Sequence, residues 1–156
     1  MKHWKQTKKR EEKPDIDNIG YNEPDKTPKF SIIVTWYDKI NTKEEIDRMC
    51  GSLENQTFKD FEVIFVHDGD YNNNSELYNN DLALNINGSF KRTLTHTDKR
   101  YNNFGHSSRD LGLRYASGKW ILHTNIDNAY LPTALEEIDN VTRWNPEKVH
   151  LFAIDM

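Results

Sequence analysis

Short apolar runs alternate with amphipathic stretches along most of this chain. Residues 30–35 (FSIIVT), 61–66 (FEVIFV) and 120–123 (WILH) are apolar and rich in β-branched or aromatic side chains, and each gives way to polar residues at its carboxyl end. That pattern predicts buried strands, with residues 91–95 as a weaker one. Ile46, Met49, Cys50 and Leu53 recur at helical spacing behind Thr42-Lys43-Glu44-Glu45, where Thr42 and Glu45 can satisfy each other's backbone donors as a capping box. Ser107 or Ser108 opens a second predicted helix, which Gly118 closes after Ala116 and Ser117. Pro132 suits the first turn of a third, whose buried face is Leu135, Ile138 and Val141. An Asn- and Asp-rich loop spans residues 71–80, and residues 149–154 read as a last strand. Strand and helix in alternation imply right-handed crossovers and an α/β domain, a mainly parallel sheet flanked by helices.

Composition narrows the class. With 156 residues the chain has room for one domain, expected over residues 30–156. Residues 1–29 are rich in Lys, Glu, Asp, Asn and Pro and poor in apolar groups, so they are expected to form a flexible arm. Its basic residues, Lys2 to Lys13, are blunted by Glu11 and Glu12, which argues against a nucleic-acid partner. No apolar run approaches the roughly 20 residues of a spanning helix, and no signal peptide is evident. Cys50 is the only cysteine, so an internal disulfide is impossible and a cytoplasmic setting is expected.

The candidate chemistry lies where the strands end. Ligands of open parallel sheets bind in the crevice beyond the carboxyl ends of the strands. Three such ends here carry Thr35, Tyr37 and Asp38, then His67, Asp68 and Asp70, then Asn125, Asp127 and Asn128. An Asp just past a strand and before a proline-started helix suits a metal in a nucleotide-binding sheet, although Asp and Asn also end strands for turn reasons alone. His67, His96, His106 and His123 have no metal-ligand spacing.

In order, SIIVTWYDK, SLENQTFKDFEVIFVHDGD and NNFGHSSRDLGLRYASGKWILHTNIDNAYLP resemble the family 2 glycosyltransferases across residues 29–141. The resemblance implies a Rossmann-like nucleotide-diphospho-sugar transferase fold. It places Thr35 and Tyr37 beside the nucleotide, Asp68 on the base edge and Arg109 facing the diphosphate or the acidic turn. The family's Asp-x-Asp pattern falls on Asn125-Ile126-Asp127, so Asn125 stands where the ribose- or base-binding acid would be. Its amide still offers donors and an acceptor. Asp127 keeps the carboxylate that would ligate manganese or magnesium, with Asn128 as a possible carbonyl ligand.

The implied reaction is an inverting displacement by an acceptor hydroxyl on a nucleotide-diphosphate sugar, a UDP-sugar by family habit. The general base is expected beyond Met156, because the chain ends soon after the metal motif and the acceptor-binding half is expected to be missing. A longer enzyme, a completing partner chain, or an inactive sugar-nucleotide-binding or scaffold module would each account for that. A nucleotidyltransferase is disfavoured, because Trp36-Tyr37-Asp38-Lys39 offers no glycine for a phosphate loop.

Overall fold

The computed structural model describes residues 27–70, 86–144 and 147; the expected loop at 71–80, the last strand at 149–154 and nearly all of the amino-terminal arm lie outside them. The described elements run β1 (Phe30–Trp36), α1 (Lys43–Glu54), β2 (Phe61–His67), β3 (Lys91–His96), α2 (His106–Tyr115), β4 (Trp120–Asn125) and α3 (Ala134–Trp144). The strands form one sheet in the order β3-β2-β1-β4, and every neighbouring pair is parallel. This is the α/β architecture expected from the apolar runs.

Side chains alternate across a strand, so a sheet covered on both faces needs two cores. On one face Ile32, Val34, Val63 and Phe65 pack with Ile46, Met49, Cys50 and Leu53 of α1 and with Leu135 and Ile138 of α3. On the other, Ile33, Ile64 and Val66 meet Leu111, Tyr115 and Ala116 at α2. α1 starts as expected: Glu45 N donates to Thr42 Oγ1 and Thr42 N donates to Glu45 Oε2.

The other two helices depart from expectation. α2 begins at His106 behind Gly105, not at Ser107 or Ser108, and Ser108 instead turns inward and is fully buried. Its buried positions are Ser108 and Gly112, and a Cβ on Gly112 would stand 2.5 Å from Ile33 Cγ2. The helix therefore lies close to the sheet on small residues. In α3 the first helical bond runs from Glu137 N to Thr133 O, so Pro132 precedes the helix instead of occupying its first turn. Its buried face is Leu135, Ile138, Asp139 and Thr142, while Val141 is 41% exposed. Asp139 tolerates burial because Lys29, at 3.1 Å, and Arg143 pair with it.

A polar knot pins the carboxyl end of α2 to the amino end of the sheet. Glu62 is buried, and its Oε1 accepts from Ser31 Oγ (2.7 Å), Ser117 N (2.7 Å) and Ser117 Oγ (2.8 Å), while Lys91 Nζ lies 2.8 Å from Oε2. The Ser31 hydroxyl accepts in turn from Gly118 N at 2.7 Å. Burial pushes the Glu62 carboxyl up, but Lys91, Ser31 and Ser117 together outweigh it and hold the group below its ordinary value.

Candidate donor site at the carboxyl edge of the sheet

Thr35 and Asn125 are register partners at the carboxyl ends of β1 and β4. The Thr35 hydroxyl donates to Asn125 Oδ1 at 2.8 Å. Arg109, one turn into α2, donates from Nη2 to the same oxygen at 2.8 Å and from Nη1 to Phe104 O at 2.6 Å. Three residues distant in sequence thus meet at one point. Both contacts fall on the Asn125 carbonyl oxygen, so neither engages its Nδ2 donors. An amide also leaves the Arg109 charge uncancelled where a carboxylate would neutralise it. Arg109 does not pair with its neighbour Asp110, which bonds Arg114.

Gly105 makes this convergence possible. Its φ is 77°, and a Cβ there would lie 3.0 Å from Arg109 Nη1 and 3.2 Å from Thr35 Oγ1. Gly105→Ala is expected to lower stability by about 1–2 kcal/mol, the usual cost of a non-glycine residue held in that region. A urea unfolding curve measures it, and displacement of Arg109 should weaken any anion bound at the site in parallel.

The second cluster sits where β1 and β2 end. The Tyr37 ring lies beneath the Arg100 guanidinium, whose carbon is 3.9 Å from the ring centroid. Asp68 Oδ1 accepts from Tyr101 N at 3.0 Å and Oδ2 from Asn102 N at 3.1 Å. Beneath them His67, buried, reaches Gly69 O through Nδ1 at 2.7 Å and Asp38 Oδ1 through Nε2 at 2.9 Å. His67 thereby ties the two strand exits together.

Asp127 follows β4 by two positions and is exposed. The backbone on either side of it is held: Ile126 N donates to Thr35 O and Asn128 N donates to Asn125 O. Asn128 Nδ2 donates to Thr124 Oγ1, which leaves its carbonyl oxygen on the other branch of the amide. The neighbouring Tyr130 is buried, and burial pushes its phenol up to about 12. Among the described residues no three His, Cys, Asp or Glu side chains gather as a metal cage. One exposed carboxylate does fit a hard cation whose other ligands are phosphate oxygens and water, the usual way magnesium-type ions are held.

The sequence matches the model of glycosyl transferase family 2 over residues 31–154. The chain belongs to glycosyl transferase family 2. Its relatives include an uncharacterized glycosyltransferase of Haemophilus influenzae, 29% identical over 75% of this chain and 35% of the relative. A cholesterol galactosyltransferase of Borreliella burgdorferi is 32% identical over 72% of this chain and 28% of the relative. The chain therefore spans about a third of the length of these relatives.

Solved structures share the fold. S. aureus TarS residues 1–349 in complex with UDP superimpose with a TM-score of 0.57 at 23% identity, covering 76% of this chain and 33% of that one. The mannosyltransferase PcManGT from Pyrobaculum calidifontis, in complex with GDP-Man and Mn2+, gives a TM-score of 0.54 at 18% identity, over 83% of this chain and 35% of that one. Among the described residues of this family 2 chain no helix is long and apolar enough to cross a membrane.

Some of the residues that shape this family 2 site carry no signal in the apolar pattern. Arg100 sits in a loop with no periodicity, and Arg48 reads only as the polar side of α1. Ser52 and Gln56 fall inside the segment that carries the family resemblance, with no residue role attached to them.

Proposed function

We propose that this chain is the donor-binding part of a glycosyltransferase that takes a nucleotide-diphosphate sugar, a UDP-sugar by preference, and a divalent cation. The convergence of Thr35, Arg109 and Asn125 on one point, with Asp127 two residues on, carries this reading. That TarS and PcManGT, which share the fold, are in complex with UDP and with GDP-Man and Mn2+ supports a nucleotide-sugar ligand.

Each side chain then has a task. Tyr37 offers a ring face beside the base, and Asp68 accepts from a base N–H. Asn125 turns its Nδ2 donors to the ribose, with Thr35 fixing its orientation. Arg109 presents a guanidinium to the diphosphate, where its planar donors match phosphate oxygens. Asp127, with Asn128 beside it, would hold manganese or magnesium. When bound, that cation supplies positive charge against the departing diphosphate. The acceptor hydroxyl and the base that deprotonates it belong to an acceptor-binding part beyond these residues, in the same longer protein or in a completing chain.

Calorimetric titration of UDP with and without manganese tests this directly. Binding strengthened by manganese is the expected result, with GDP weaker than UDP. A folded chain that binds neither nucleotide at millimolar concentration overturns the donor assignment.

A further inference from the structure

The acidic turn is held from one side by α1. Arg48 Nη2 donates to Asp127 O at 2.6 Å. Ser52 Oγ accepts from Tyr130 N at 3.1 Å while donating to Met49 O. Gln56, just past the helix, donates from Nε2 to Leu131 O at 2.8 Å and accepts at Oε1 from Leu135 N at 3.1 Å. Positions 48 and 52 are four apart on α1 and so stack one above the other, and Gln56 follows four residues on, just past the helix end. Together they grip successive backbone groups of residues 127–135.

The three rungs differ in what they secure. Gln56 is 1% exposed and, with Ser52, holds the segment whose two buried ends, Tyr130 and Leu135, sit in the core. Arg48 is exposed and alone of the three reaches Asp127. A fixed carbonyl fixes the plane of its peptide, and with it the direction in which the Asp127 side chain leaves the backbone. We propose that Arg48 is a positioning residue for the carboxylate of the metal-binding turn, acting through the Asp127 carbonyl. This rests on the donor-site reading above.

Two effects of Arg48 oppose each other. Its charge repels a cation nearby, while its hydrogen bond pre-orients the ligand. An exposed guanidinium is screened by water and salt, whereas a charged donor to a carbonyl is one of the stronger hydrogen bonds. Orientation is therefore the larger effect, and the sign of the mutational response tells the two apart.

The test uses the full chain with Arg48→Met and Arg48→Lys. Manganese is titrated against the chain at fixed UDP, and amide hydrogen exchange is followed for residues 126–131. In Arg48→Met the manganese midpoint is expected to rise roughly fivefold, the equivalent of one net hydrogen bond. Metal-free UDP affinity stays unchanged, and exchange over 126–131 accelerates while residues 30–36 do not respond. Arg48→Lys, which keeps a charged donor but not the planar guanidinium, falls between. An unchanged or lowered midpoint, or unchanged exchange over the turn, overturns the proposal. If the unaltered chain binds no UDP with manganese, the donor-site reading fails, and exchange still decides whether Arg48 holds the turn.

Discussion

Asp127→Ala is expected to leave the chain folded and to abolish the part of UDP binding that depends on manganese. Asp127 is exposed and the hydrogen bond described for it is accepted by its backbone carbonyl, so the side chain can be removed without opening the core. In the presence of metal, affinity should drop roughly tenfold to a hundredfold, the span of one interaction with a charged group. It should settle at the value the unaltered chain shows without metal. Thermal unfolding run alongside separates this from a loss of fold. A variant that retains the full manganese effect would move the cation elsewhere and take Asp127 out of the donor site.

Glu62→Ala should have the largest effect on stability. The substitution leaves Ser31 Oγ, Ser117 N and Ser117 Oγ without the carboxylate oxygen to which all three donate. Hydrogen bonds to a buried charge contribute about 1.5–3 kcal/mol each and are not additive, so a loss of about 3–5 kcal/mol is expected. Lys91 loses the same partner, and water screens its exposed side of the pair. The pH dependence has a definite sign. Because the folded-state value of Glu62 lies below its ordinary 4.5, the stabilisation is fully present above that value and is lost as pH falls through the folded-state value. Urea unfolding across the acid range should show the unaltered chain losing stability more steeply than Glu62→Gln. Parallel curves would mean that other groups govern acid unfolding.

Much of this architecture was visible in the apolar runs because parallel strands covered on both faces are apolar throughout. Ile32 to Val34 and Val63 to Val66 need no alternation, and their breaks into Thr35 and His67 mark where the crevice lies. α1 announced itself through Thr42 and Glu45. α2 hid its start because Gly105 adopts a backbone that no apolar period encodes, and because its inward residues are Ser108 and Gly112. Val141 misled because a buried acid, Asp139, took the place an aliphatic side chain would fill, and only Lys29 and Arg143, one from outside the helix, explain that.

The site divides in the same way. Thr35, Arg109, Asn125 and Asp127 could be singled out in sequence through the family pattern, and the register of β1 with β4 brings Thr35 and Asn125 together. The grip of Arg48, Ser52 and Gln56 on the acidic turn joins residues more than 70 positions apart, which no local period contains. It also gives a physical meaning to the Gln-Thr-Phe motif: Gln56 bonds the start of α3, and Thr57 N donates to Pro132 O.

Asp68 has one more consequence. Both of its carboxylate oxygens are engaged by the amides of Tyr101 and Asn102, at the head of the loop that runs through Gly105 into Arg109. Under the proposed assignment, the group for the base and the group for the diphosphate stand at the two ends of one short loop, so a substitution at Asp68 is expected to disturb Arg109 as well.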